Sequence, residues 1–422
     1  MNPSEVVITG IGVVSPIGIG REPFWESLLA GRSGIRPLGG FDVSELPTRI
    51  GGLVPDFDPR PFVAQRKSLK LMCRDAMLGI AAARLAWQDA AIADGAVAPE
   101  RVGIVLGADR IVTSLEDSLP SYLASIADGR FDFARWILVG IPQTYPLSFL
   151  KVLPNMIGSH VSITQDARGP NNTIHHGEVS SLVSVIEAAR VLGRGAADVM
   201  IAGGAASEMQ PYNLMANCPT RRLSRRNDDP AGAVRPFDAD RDGQVWGEGA
   251  AALVLETRRH AEARGANVLA ALAGWSHPCE RVPLGGEIQG TAIRRALGEA
   301  IARAGLTPGE IGHLNAHGLA TPRDDVIEAQ AIRDVLGDVP VTALKSYFGN
   351  LGAAGGAVEL AASVLALGRH RVPATLNHHR PDPRCPIRVI AGGPLETQQR
   401  AAVSLNFTWA GQAAAVVLCA AE

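Results

Sequence analysis

Several clusters in this sequence have residue types and spacing that could do chemistry. Asp238, Asp240 and Asp242, in FDADRDGQVWGEG, have the alternating spacing of calcium-loop ligands, and Gly243 falls where such a loop turns. Gly249 stands at the twelfth position, where a calcium loop needs its bidentate glutamate, so the run does not read as an ion site. His175 and His176 are adjacent, and neighbours on a strand face opposite sides, so one ion is not expected to take both. No metal is therefore expected. The glycines of GNLGAAGG (Gly349, Gly352, Gly355, Gly356) lack the strand–GxGxxG–helix order of a dinucleotide site, and no cofactor is expected. Glu178 opens a predicted helix over 178–192. A carboxylate there offsets the helix dipole by roughly 0.3–1 kcal/mol, so a structural role and a role as charge or general base both stand.

Bulk properties narrow the function classes. The chain has 422 residues, 46% hydrophobic and 19% charged, which is a normal globular balance and excludes a disordered chain. The net charge of −2 excludes a strongly basic nucleic-acid binder. Local basic clusters remain: Arg66, Lys67 and Lys70, and Arg221, Arg222, Arg225 and Arg226. They read either as solvated surface or as a docking face for an acidic partner. The five cysteines (Cys73, Cys218, Cys279, Cys385, Cys419) are scattered without CxxC spacing, so neither a disulfide framework nor zinc is expected. A cytoplasmic protein is the natural expectation. No apolar run reaches the roughly 18 residues of a membrane span, and the first residues read as a strand rather than a signal peptide.

The elements that must position these residues alternate in type. Short β-branched or aliphatic runs at 6–9, 102–106, 172–175, 199–202 and 251–255 are interleaved with helical patterns at 68–91 and 180–192. A second set follows, with strands expected at 267–273, 313–316, 339–343, 401–405 and 413–418 and helices at 290–304, 326–335 and 355–367. This alternation predicts an α/β fold with mainly parallel, buried strands. Two halves of similar make-up suggest an internal duplication, divided near 257–265 into 1–258 and 259–422. Segment 109–163 breaks the pattern: it is aromatic, aliphatic and interrupted by Pro120, Pro142, Pro146 and Pro154. It reads either as an extended loop-and-helix excursion covering the core or, since large apolar insertions usually need a partner, as a dimer surface and substrate-tunnel wall.

Six segments, in order, resemble the β-ketoacyl synthase family of condensing enzymes. They are VVITGIGVVSPIG with FWESLLAGRSGIRPL, LPNMIGSHVSITQDARGPNNTI, ADVMIAGGA, LSRRNDDPAGAVRPFDADRDGQVWGEGAAALVLE, LNAHGLATPRDDVIEAQAI and LKSYFGNLGAAGGAVEL. The resemblance covers essentially the whole chain. It implies a thiolase-like duplicated fold in five αβαβα layers, and it favours the dimer-surface and tunnel-wall reading of segment 109–163. It also implies a chemistry in which a helix-terminal cysteine takes an acyl chain, two histidines promote decarboxylation of a malonyl thioester, and a lysine–glutamate pair orders them.

The resemblance places Glu178 where the nucleophilic cysteine falls. It places His317 at the first histidine, Asn350 at the second, and keeps Lys345 and Glu328. Thr321 matches one of two hydroxyls that hold the phosphopantetheine arm, Leu319 replaces the other, and Thr408 stands at the gate position with Trp409 beside it. Arg66, Lys67 and Arg221 fall in segments that contact acyl carrier protein in that family. A carboxylate cannot form the acyl thioester. The leading expectation is thus a non-condensing subunit similar to chain-length factors, paired with a cysteine-bearing ketosynthase or with itself, in fatty-acid or polyketide (polyene) assembly. The alternatives are a malonyl-carrier-protein decarboxylase using His317, in which Asn350 still donates to an enolate, an acyl chemistry with Glu178 as base, and a structural relic. Partners in nucleic acid or membrane are not expected.

Overall fold

The computed structural model describes residues 5–93, 95–217 and 222–421. Ten strands carry the architecture: β1 (Val6–Ser15), β2 (Val102–Gly107), β3 (Asn171–Ile174), β4 (Val199–Ser207) and β5 (Glu248–Thr257), then β6 (Ala270–Ser276), β7 (His313–Asn315), β8 (Pro340–Thr342), β9 (Ala401–Phe407) and β10 (Ala413–Ala420). The first five lie side by side in the order β3-β2-β4-β5-β1, and the second five in the order β8-β7-β9-β10-β6. Both sets use their first to fifth strands in the same spatial order, so the topology is duplicated. The two sets are joined edge to edge, where β1 meets β6 antiparallel through Val7–Ala271 and Ile8–Ala270.

The strands are not mainly parallel. β3, β2 and β4 run parallel, as do β8, β7 and β9, but β5 and β10 return antiparallel against β4 and β9. A continuous apolar run shows that a strand is buried on both faces, not which way its neighbour runs. Strands β9 and β10 are joined by a tight hairpin over 408–412, which forces the antiparallel pairing.

Helices fill the spaces between and outside the sheet halves. Helix α1 (Arg74–Asp89) covers the first half with α2 (Met156–Gln165). Helices α4 (Thr291–Arg303) and α5 (Asp324–Leu336) cover the second half. Between the halves lie α3 (Ser180–Gly193) and α6 (Gly355–Arg369), which pack on each other and on strands of both. The result is the thiolase-like αβαβα stack. Every residue from Gly355 to Leu367 is buried, as a helix enclosed on all sides requires. Gly356 permits its close approach: a Cβ there would lie 2.3 Å from Asn406 Oδ1.

Segment 109–163 forms short helices and turns above the first half. Much of its apolar surface is exposed, including Leu123, Phe133, Ile137 and Leu138, the last at 76%. The acidic run at 238–242 is a structural turn. Asp238 accepts the N–H groups of Asp240, His379 and Arg380 at 2.6–2.8 Å, and Asp242 accepts the Ser224 hydroxyl at 2.7 Å. Among the described residues no group of His, Cys, Asp or Glu is arranged to hold a metal, and no helix is long and apolar enough to cross a membrane.

Candidate active site

Strand β3 ends at Ile174, and the chain reaches α3 through a turn at Gly177–Val179. Gly177 adopts φ +57, a left-handed conformation that glycine takes without strain. Ser180 fixes the turn: its hydroxyl donates to Gly177 O at 2.6 Å and accepts the His176 N–H at 2.8 Å. Glu178 is therefore held in a one-turn lead-in to α3, not within it. It is half-buried and lines a cavity of about 400 Å³ together with Asp109, Glu208, Gln244 and Trp246. Burial pushes its carboxyl above the ordinary range, and the Asp109 charge adds to the rise.

His317 lies just past the end of β7 and is fully buried. Glu328, from α5, shapes its loop by accepting the backbone N–H groups of His317 at 2.7 Å and Gly318 at 2.9 Å. Burial raises the Glu328 carboxyl to about 8. Lys345 Nζ and Asn406 Nδ2 each lie 3.1 Å from His317 Nδ1. Both neighbours are donors, so Nδ1 accepts and the proton of the neutral ring sits on Nε2. Burial first, then the Lys345 charge, pushes the imidazole well below its usual range, so the ring is neutral at pH 7. Its Nε2 is buried and has no partner among the described residues.

Lys345 makes its ion pair with Glu359 of α6 at 2.6 Å, and Asn406 donates to the second oxygen of Glu359 at 2.8 Å. The lysine's paired carboxylate is thus Glu359, not Glu328, which the sequence had placed in that role. Glu328 serves the backbone because α5 presents it beneath residues 317–318. Glu359 and Asn406 were not picked out from the sequence, although Glu359 lies inside LKSYFGNLGAAGGAVEL and Asn406 directly follows the strand expected at 401–405.

Asn350 is buried and donates to Gln244 Oε1 at 2.8 Å, while its Oδ1 accepts the Gly352 N–H at 3.1 Å. One amide hydrogen is therefore already committed. The Thr321 hydroxyl is likewise engaged: it donates to Asp324 Oδ2 at 2.9 Å and accepts the Asp324 N–H at 3.2 Å. Thr321 borders a second cavity of about 340 Å³, which shares Arg222 and Trp409 with the Glu178 cavity. Trp409, 66% exposed, stands where the two meet. Thr408 is buried, bonds to Gln412 and lies beside Gly177. Arg66 and Lys67 are exposed in a turn at Arg66–Leu71, and Arg221 lies outside the described residues.

The described cysteines are elsewhere. Cys73 caps α1 by accepting the Ala76 N–H at 3.4 Å, with its thiol pushed up to about 12 by burial. Cys385 is buried with its thiol also near 12, Cys279 is exposed, and Cys419 is on β10. Cys218 lies outside the described residues.

The model of the β-ketoacyl synthase N-terminal domain matches residues 3–261, and that of the C-terminal domain matches residues 275–379. The chain belongs to the β-ketoacyl synthase family. Its similarity to known synthases runs end to end. It is 32% identical to 3-oxoacyl-[acyl-carrier-protein] synthase 2 of Synechocystis, over 97% of each chain. It is 34% identical to the granaticin polyketide putative β-ketoacyl synthase 1 of Streptomyces violaceoruber, over 98% of each. Among solved structures, a β-ketoacyl synthase from Burkholderia phymatum superposes with TM-score 0.87 at 31% identity, covering 99% of this chain and all of that one. The ishigamide ketosynthase/chain length factor superposes with TM-score 0.86 at 28% identity, covering 99% of both.

Proposed function

We propose that this synthase-family chain is a non-condensing subunit that pairs with a cysteine-bearing ketosynthase and helps to shape the tunnel for a carrier-bound acyl chain. The observation that carries the reading is Glu178: a carboxylate faces the cavity at the start of α3, the position the family resemblance gives to the nucleophilic thiol. A carboxylate forms no thioester, so condensation by the cysteine route is closed to this chain alone. The exposed apolar face of segment 109–163 supports pairing, because contiguous exposed apolar surface marks an interaction site. Two similar structures agree in kind. One is the ketosynthase/chain length factor above. The other is a type II polyketide acyl-carrier protein in complex with its ketosynthase, with TM-score 0.85 at 26% identity. Docking of an acidic carrier protein at Arg66, Lys67 and Arg221 belongs to the same proposal. The test is co-expression with a cysteine-bearing homologue, read by native mass spectrometry. A stable 1:1 heterodimer supports the proposal, and a homodimer that persists beside that homologue overturns it.

A second reading is favoured by one observation, the unpartnered Nε2–H of His317. Such a donor stabilises the enolate left when a malonyl thioester loses CO2; protonation of the enolate carbon by water gives the acetyl thioester. On this reading the intact mass of malonyl-loaded carrier protein falls by one CO2 with the native chain and not with His317→Ala. No loss with either protein overturns it.

A further inference from the structure

The Glu178 cavity contains more carboxylates than the acyl chemistry above uses. Strands β3, β2 and β4 are neighbours and run parallel. Just past their C-terminal ends stand Glu178, Asp109 and Glu208, and all three line the cavity. In α/β sheets this is the edge at which ligands bind.

Glu208 is only 8% exposed, and its carboxylate has no hydrogen bond or ion pair within 4 Å among the described residues. It faces Asp109, Asp75 and Glu178, with Arg110 as the nearby cation. Arg222 also lines the cavity and its charge acts on Glu178, but its guanidinium is paired with Asp324 rather than with a cavity carboxylate. Arg110 is exposed and forms no ion pair with a described carboxylate.

The neutral groups of the wall are also unfilled. Asn213 is 3% exposed and lines the cavity, yet its side-chain amide has no partner among the described residues. Gln244 uses its Oε1 on Asn350 and leaves its amide nitrogen without one. Trp246 and Trp409 also line the wall, and the Trp246 Nε1–H is buried without a partner among the described residues. The free amide atoms open onto the cavity, where a ligand can take them.

Three carboxylates face two arginines in this wall, Arg222 paired with Asp324 and Arg110 exposed, and the surplus of negative charge, the free amides and two tryptophans together describe a receptor for an organic cation. We propose that the Glu178 cavity binds a protonated primary amine, with the ammonium held by Glu208, Asp109 and Glu178 and its alkyl stem against the tryptophans. The amine could belong to a free molecule or to the far end of an acyl thioester; the second source rests on the acyl-carrier reading, and the first does not.

In the empty cavity, burial and mutual repulsion hold the Glu208 and Glu178 carboxyls above the ordinary range. Arg110 acts against the rise at Glu208, and Arg222 and Lys345 act against it at Glu178. A bound ammonium favours the ionised carboxylates, so binding releases protons and tightens as pH rises.

The probe is n-butylammonium, titrated calorimetrically into the full chain, with n-pentanol and butyrate as neutral and anionic controls. We expect the amine to bind at least about tenfold more tightly than either control, with proton release detected as a heat that depends on the ionisation enthalpy of the buffer. Glu208→Gln should weaken binding at least about tenfold; if that variant does not fold, Asp109→Asn replaces it. Equal binding of pentanol, preference for butyrate, or an unchanged affinity in the variant overturns the proposal. A second arm compares n-butylammonium with the N-acetylcysteamine thioester of 4-aminobutyrate. Tighter binding of the thioester supports an acyl-borne amine. Binding of the free amine alone keeps the cation site and counts against the acyl source.

Discussion

Lys345 Nζ bridges two buried groups, lying 2.6 Å from Glu359 Oε1 and 3.1 Å from His317 Nδ1. One cation thus neutralises a carboxylate inside the protein and fixes which imidazole nitrogen carries the proton. Removing it strands the Glu359 charge. Lys345→Met is therefore expected to cost about 3–5 kcal/mol of unfolding free energy, the usual loss when one partner of a buried ion pair is deleted. Urea denaturation measures it. A loss below about 1 kcal/mol would show that the pair is better solvated than its burial implies.

Stability should fall as pH rises above neutrality. Burial raises Asp75 and Asp325 to about 7 and Glu328 to about 8, from ordinary values of 3.8 and 4.5. Between those values the folded state holds more protons than the unfolded state, so each group favours folding at low pH and loses that contribution as pH passes through its folded value. Buried histidines oppose them lower down: burial depresses His313 from 6.5 to about 4 and also pushes His160, His277, His317 and His378 down, so their contribution grows with pH until the unfolded histidines are neutral. Above about pH 7.5 the histidines are neutral in both states, and Glu328 is joined by Cys73 and Cys385, whose folded thiols stay protonated to about 12 while unfolded thiols ionise near 9, which lowers stability further as pH rises. Denaturation midpoints taken from pH 7.5 to 9 should decline, and Glu328→Gln should flatten the part of that decline near pH 8. A midpoint that rises over this range would contradict the assignment.

The fold was readable because burial leaves a strong signature in sequence. All ten main strands overlap the expected strand segments, most of them aliphatic, and the helices at 74–89, 180–193, 291–303, 324–336 and 355–369 overlap the expected helical stretches, whereas Met156–Gln165 falls in the segment set apart from the pattern. Strand direction was not readable, because β5 and β10 are as apolar as the parallel strands they join. The site was readable where one segment carries it, as with His317 and Lys345. It was unreadable where partners come from different strand ends. Asp109 and Glu208 join Glu178 only because β2 and β4 are neighbours in space, and Glu359 displaces Glu328 as the partner of Lys345 only because α6 passes beside the lysine.

Glu178→Cys offers a direct test of the position assigned to the nucleophile. The start of α3 and the Lys345 charge favour a thiolate there, against the burial and the Asp109 charge that raise the Glu178 carboxyl. The variant is expected to gain the mass of one acyl group when incubated with an acyl-carrier thioester, whereas the native chain gains none. It should also be alkylated by iodoacetamide faster than the native chain. A variant that folds, resists alkylation and gains no acyl mass would remove Glu178 from the nucleophile position.

The apolar face of segment 109–163 should decide association. Leu123 is 59% exposed, Phe133 72% and Leu138 76%. Burying such side chains against a partner supplies roughly 1.5–3 kcal/mol each, and a stable interface needs about 800 Å² from each side. Charges placed there would have to be desolvated without partners. The double variant Leu123→Asp with Leu138→Asp should therefore dissociate from any partner subunit by at least about a hundredfold. Its own unfolding should change by less than about 1 kcal/mol, because neither side chain is buried within the chain. Light scattering after size exclusion, with and without a cysteine-bearing homologue, reads the first effect, and urea denaturation of the separated chain reads the second. Unchanged assembly in a folded variant would place the partner surface elsewhere on the molecule.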